Sequence, residues 1–181
     1  MKKLVVVIAS PPGVGGTTVA KAIAKKLKLK FFSVGLLYKE LSEEKTESEA
    51  ALELWKTKFG SSEKLHNYMD DLQIEMAKKG NIVIESTLGI HFIRNLSKYK
   101  IWLDTSLKIR AERSAKRDKI SVEKALKEIA QREDIERRDW KRMYGFDYLD
   151  QKYNADFVLD SSNQTSSQTV KKILEFIKGK K

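Results

Sequence analysis

The chain has 181 residues, 41% hydrophobic and 34% charged, enough for one domain with a sizeable core and too apolar for a disordered chain. Lys and Arg number 36 against 25 Asp and Glu, and this net charge of +11 favours anionic partners: nucleotides, nucleic acid or an acidic surface. The absence of cysteine excludes disulfides and thiolate metal sites.

Leu4 to Ala9 is a continuous, largely β-branched run, the pattern of a strand buried on both faces. It is too short to span a bilayer or to form a signal-peptide core, so a soluble, cytoplasmic protein is expected, without a membrane partner. Thr17 to Leu27 reads as an amphipathic helix, with Val19, Ala22, Ile23 and Leu27 on one face and Lys21, Lys25 and Lys26 on another. Lys30 to Val34 predicts a second strand ending at Gly35, which completes a βαβ unit. Residues 36–79 read as helical with a break near Gly60, and with Leu52, Trp55 and Phe59 turned inward. Asn81–Glu85, Tyr99–Asp104 and Asp156–Asp160 predict three further strands. Residues 107–144 predict one or two charged helices with Ser121 as an N-cap, Gly145 and Asn154 mark loops, and Ser167–Lys178 predicts a closing helix. The fold class expected is α/β: one domain over 1–181, with a five-stranded parallel sheet between helices.

Between the first strand and the first helix stands Ser10-Pro11-Pro12-Gly13-Val14-Gly15-Gly16-Thr17-Thr18. Backbone N–H groups of such a turn converge with a helix N-terminus on one concavity suited to phosphate, and Thr17 stands where a hydroxyl would hold Mg²⁺. All nine residues are therefore candidate ATP contacts, with Thr17 the metal contact. The turn departs from G-x-x-x-x-G-K-[ST] at two places: Ser10 replaces the first glycine and Gly16 the lysine. Without that lysine another cation must neutralise the phosphates.

The segment from Lys108 to Arg142 is dense in both charges, and one reading is a solvated helix with pairs such as Glu128–Arg132 and Glu133–Arg137. Against this, Arg113 and Arg117 lie one turn apart, as do Arg132 and Glu136, placing phosphate-binding and base- or sugar-binding groups on common faces. The apolar rhythm of Val122, Leu126 and Ile129 fades after residue 131, as suits a mobile lid. His66 and His91 show no ligand spacing, and Trp55, Trp102 and Trp140 read as packing residues. Glu85, ending a buried strand that faces the glycine turn, is a candidate either for binding, as a hold on water at Mg²⁺ or a partner for a nucleoside, or for a structural role.

Taken together, the chain resembles the archaeal-type cytidylate kinases, nucleoside monophosphate kinases of the P-loop class. The resemblance rests on Pro11-Pro12-Gly13-x-Gly15-x-Thr17-Thr18, Ser33-x-Gly35-x-x-Tyr38-Lys39-Glu40, Ile84-Glu85, Ile101-Trp102-Leu103, Arg110-Ala111-Glu112-Arg113-x-x-x-Arg117, Arg132-Glu133-Asp134-x-Glu136-Arg137-Arg138, Tyr144-Gly145-x-Asp147 and Asp156 to Ser162. It implies a helical acceptor flap over 36–79, a basic lid over 107–145, and phosphoryl transfer from Mg²⁺-ATP to a nucleoside monophosphate, CMP or dCMP. By that likeness Ser33, Gly35, Lys39, Glu85, Arg132 and Glu136 bind the acceptor, while Arg113, Arg117 and Arg132 close over the transferring group. The sequence departs from the family at Lys39, Thr87 and Asp139, each standing where an arginine is usual. Two other classes remain: a degenerate kinase fold binding nucleotide as a regulator or scaffold, and a basic RNA-binding protein. Nucleic acid is disfavoured by the lack of basic–aromatic interleaving, and a monomer is expected.

Overall fold

The computed structural model describes residues 3–41 and 46–180, without the side chain of Glu47. Its centre is a parallel sheet of β1 (Val5–Ala9), β2 (Lys30–Ser33), β3 (Ile82–Glu85), β4 (Tyr99–Asp104) and β5 (Phe157–Asp160), in the order β2-β3-β1-β4-β5. The α/β class and the five parallel strands expected from the sequence are present. β1 lies in the middle, Val7 level with Ile84 of β3 on one side and with Lys100 of β4 on the other. All five β1 residues are buried, as a run without polar alternation requires.

One face of the sheet is covered by α1 (Gly16–Leu27) and α8 (Ser166–Gly179). Val19 and Ile23 of α1 and Val170, Ile173 and Ile177 of α8 join Val6, Ile8, Val83 and Ile101 in that core. α4 (Glu63–Lys79), α5 (Gly89–Ile93) and the C-terminal part of α7 (Val122–Tyr144) contribute to the core on the other face, with Trp102, Trp140 and Tyr148 at its centre. α6 (Leu107–Asp118) packs on α7 through Ala111, Ala115, Ala125 and Ile129, and α2 (Val34–Glu40) packs on α4 through Val34, Leu65 and Met69. α3 (Glu47–Lys56) rests on α2 and α7.

Several elements differ from the sequence expectation. The second strand stops at Ser33, because Ser33 Oγ accepts from Leu36 N and starts α2, so Val34 and Gly35 are helical. The stretch 36–79 divides into α2, α3 and α4; its residues 42–45 lie outside the described ones. Phe59 sits beyond the end of α3 and is 57% exposed rather than inward. α5 and a 3₁₀ turn over Tyr148–Asn154 were not expected; five- and seven-residue segments show no readable period. Ser121 does cap α7, accepting from Lys124 N. Of the expected apolar rhythm Ile129 is buried, with Ala125 beside it, while Val122 and Leu126 point to solvent. Nor does α7 stop burying itself after residue 131: Glu136 and Trp140 are 2% and 6% exposed. Among the described residues, no helix is long and apolar enough to cross a membrane.

Candidate functional site

The turn between β1 and α1 is built on two glycines in the left-handed region, Gly13 at φ 81° and Gly15 at φ 98°. α1 has no side-chain N-cap and no acidic residue in its first turn, so its first N–H groups and its dipole are left for an anion. The turn is held from above by α6. Arg110 Nη1 donates to Pro12 O at 3.0 Å and pairs with Glu133; Arg113 Nη1 donates to Val14 O at 3.0 Å.

Two cavities open on this turn. The first, about 330 Å³, is lined by all nine residues from Ser10 to Thr18, together with Glu85, Ser86 and Thr87 after β3. α2 supplies Gly35, Tyr38 and Lys39 to its wall, α3 supplies Ala51 and Trp55, and α4 supplies His66, Met69 and Asp70. Arg132, Glu136 and Trp140 enter at one-turn intervals from α7, and Arg117 comes from α6. The second cavity lies on the other side of the turn, between α6 and the start of α8, lined by Arg113, Ser114, Ser161, Gln164 and Thr165 among others. Gly13, Val14, Gly15, Thr18 and Arg117 line both. The glycine turn is thus a shared floor with a compartment on either side.

The expected site residues fall into place unevenly. The nine turn residues and Gly35, Lys39, Glu85, Arg132 and Glu136 all line the first cavity. Ser33 does not: it is buried at the end of β2, where its Oγ caps α2 and donates to Glu85 Oε2 at 2.5 Å. Thr17 Oγ1 donates to the same oxygen at 3.3 Å, so Glu85 joins the start of α2 to the start of α1. Arg113 lines the second cavity with Arg117; its Nη2 donates to Ser161 O and Gln164 O, fixing the β5–α8 loop. Arg132 Nε donates to Glu136 Oε1 at 2.7 Å, whereas Glu133 and Arg137, expected as partners, pair with Arg110 and Asp147.

The sequence reading missed part of the cavity wall. His66, taken as an ordinary residue, is buried, stacks on Trp55 with ring centroids 4.6 Å apart, and shares a 2.9 Å hydrogen bond between Nδ1 and Tyr38 OH. Burial lowers its pKa to about 4, against the opposing pull of the Gly60 carbonyl, so the ring is neutral at pH 7. One turn on, Asp70 accepts from Tyr144 OH at 2.6 Å and from Gln73 Nε2 at 2.9 Å; burial raises its pKa to about 7. Burial also raises the pKa of Glu136, with the Arg132 guanidinium opposing. Trp55 and Trp140 were read as packing residues and do pack, 6.3 Å apart edge to face, but both also line the cavity. The spacing 66, 69, 70 on one helix was the available signal, though nothing in it separates a cavity wall from a core face.

Comparison with known proteins bears on this arrangement. The sequence pattern of the Cytidylate kinase-like family matches residues 5–163. The chain is 39% identical over 148 residues to a cytidylate kinase of Pyrococcus horikoshii, covering 82% of this chain and 75% of that protein. It is 35% identical over 174 residues to one of Pyrobaculum calidifontis, covering 96% and 92%. Among solved structures, shikimate kinase from Acinetobacter baumannii superposes with a TM-score of 0.66 at 15% identity, over 99% of this chain and 96% of that one; it shares the fold. With the family pattern running from β1 through the glycine turn and all five strands, the chain belongs to the cytidylate kinase-like family, and it is a kinase.

Proposed function

We propose that the protein transfers a phosphoryl group from Mg²⁺-ATP to a nucleoside monophosphate, CMP or dCMP, giving the diphosphate and ADP. The observation that carries this reading is the pair of cavities meeting over one glycine turn: a reaction between two nucleotides needs two compartments with the transferring group at their junction. The second cavity takes the donor nucleoside, the N-terminus of α1 its phosphates, and the first cavity the acceptor. The curated relatives above are named cytidylate kinases, which supports CMP over other acceptors.

The residues at the start of α1 fit a hard divalent cation: Thr17 offers a hydroxyl oxygen with the Glu85 carboxylate beside it. Bound with ATP, Mg²⁺ neutralises charge on the transferring group. The turn N–H groups orient the donor phosphates. The cations lining the first cavity are Lys21, Lys39, Arg117 and Arg132; they stand in for the lysine absent at Gly16 and for the arginines absent at Thr87 and Asp139. Lys39 offers the acceptor phosphate a point charge rather than a fork, and Arg117, at the junction, is placed to bridge donor and acceptor phosphates. The α6–α7 segment acts as the lid, its closure over the junction excluding water that would otherwise hydrolyse ATP.

A coupled ADP-release assay with CMP, dCMP, UMP, AMP and GMP tests the reading. ADP that needs Mg²⁺ and forms with CMP or dCMP is the expected result. Nucleotide binding with no acceptor-dependent ADP overturns it.

A further inference from the structure

Arg132, Glu136 and Trp140 form a stripe along α7, one turn apart, and all three face the first cavity. Two of them carry polar atoms that find no partner. Glu136 is 2% exposed; its Oε1 accepts from Arg132 Nε, while Oε2 is fully buried without a donor. Trp140 is 6% exposed, and its Nε1 has no acceptor. A buried carboxylate oxygen and a buried indole N–H left unsatisfied are costly, and such groups in a cavity wall mark where a ligand completes them. Their ring neighbours close the space: Trp55 stands edge to face with Trp140, and His66 stacks on Trp55.

We propose that this stripe reads the acceptor's base and selects a ring bearing an exocyclic amino group, so that Glu136 Oε2 accepts from the amine and Trp140 Nε1 donates to the ring carbonyl that cytosine and uracil share. The assignment rests on the kinase reading above and specifies how that site tells cytosine from uracil. Cytosine offers an amine on the same edge as a ring carbonyl, which complement one acceptor and one donor carried one turn apart on the helix. Uracil has a carbonyl where the amine would be, and its single N–H is flanked by two carbonyl oxygens. A carboxylate facing that edge meets oxygen lone pairs on either side. Arg132 is then a positioning residue for the carboxylate: the guanidinium fixes one oxygen and aims the other.

The test compares CMP with UMP, by acceptor-dependent ADP release and by calorimetric binding, for the wild type and for Glu136→Gln and Trp140→Phe. The expected wild-type preference for CMP is at least a hundredfold, since a site built around a hydrogen-bonding group rejects an analogue lacking it. Glu136→Gln, whose amide can donate to the uracil carbonyl, should reduce the CMP/UMP ratio at least tenfold and leave the KM for ATP unchanged. Trp140→Phe keeps a ring of similar packing and removes the N–H; it should weaken CMP and UMP together and leave the ratio standing. Wild type that binds both monophosphates equally overturns the proposal. So does a Glu136→Gln protein that loses thermal stability with an unaltered ratio, because Glu136 Oε2 then serves a buried network with Tyr148 OH, which is also unpartnered. Failure of the kinase reading looks different: no ADP from any acceptor, with the calorimetric CMP/UMP ratio still deciding what the stripe reads.

Discussion

A Cβ built on Gly16 would stand 2.9 Å from Ser10 Oγ and 3.3 Å from Glu85 Oε1. The two departures from the standard phosphate loop, six residues apart in sequence, therefore occupy one place in space: the Ser10 hydroxyl fills the volume that a side chain at position 16 would need. Gly16→Lys alone should lower stability by about 1–3 kcal/mol through overpacking, read as a drop in melting temperature of several degrees. Adding Ser10→Gly should recover most of it. A single variant as stable as wild type would contradict the geometry. Gly13 and Gly15 offer a second residue-level comparison. Both have positive φ, but a Cβ on Gly13 would press on Ile129 Cδ1 at 2.9 Å, while one on Gly15 meets nothing within 4 Å. Gly15→Ala should carry the backbone penalty alone, about 1 kcal/mol; Gly13→Ala should exceed it, and equal melting temperatures would show that α7 yields freely over the turn. The sequence placed both glycines in a phosphate turn. It could not reveal that Ser10 and Gly16 compensate, because contact across a turn is not written in spacing.

At the level of elements, α7 shows what hydrophobic periodicity can and cannot find. Its start was legible from Ser121, and its existence from length and charge. Its buried face runs through Ala125, Ile129, Glu136 and Trp140, and because one member is a carboxylate the apolar rhythm breaks although burial continues. Arg132 pairs with Glu136 where the spacing also offered Glu128, Glu128 lies against Lys124, and Glu133 and Arg137 go to Arg110 of α6 and to Asp147, which no periodicity within α7 could foretell. α4 carries a linked pair that gives a pH prediction. His66, neutral in the fold because its pKa is lowered to about 4, contributes stability above pH 6.5 that is lost as pH falls toward 4. Asp70, raised to about 7, acts oppositely: its contribution is full below about 4 and is lost as pH rises through 7. Between pH 4 and 6.5 the two slopes, each near 1.4 kcal/mol per pH unit of opposite sign, offset one another. Relative to wild type, Asp70→Asn should gain stability with rising pH in that window, and His66→Gln should lose it. Denaturant titrations at pH 4.5, 5.5 and 6.5 read the slopes, and parallel pH curves for all three proteins would refute the linkage.

Across the whole molecule, the excess positive charge sits largely away from the cavities. Residues 16–33 hold five lysines and no acidic residue, residues 166–180 hold four lysines and one glutamate, and the two helices concerned pack together. Lys25, Lys26, Lys171 and Lys172 are all exposed there. Of the lysines in these two stretches Lys21 lines the first compartment, and the others line neither. Replacing Lys25 and Lys172 with Glu should therefore leave acceptor-dependent kcat unchanged; a fall of tenfold would place this face in the catalytic cycle. The parallel α/β architecture was legible because buried strands and glycine turns have direct local signatures. The strand order was not, since a βαβ crossover fixes handedness and leaves the neighbours of each strand open.

β1 precedes the other four strands along the chain, yet both of its sheet neighbours come from residues 82–104. At ribosomal speeds of about 5–20 residues per second, the segment Val5–Ala9 waits on the order of 4–15 s before β3 exists to pair with it. During that interval five uncharged apolar residues, four of them with strong β propensity, have unpaired backbone on both edges, the composition that seeds intermolecular pairing. The central position that makes β1 the best-buried strand of the finished protein also leaves it longest without a partner while the chain is still being translated.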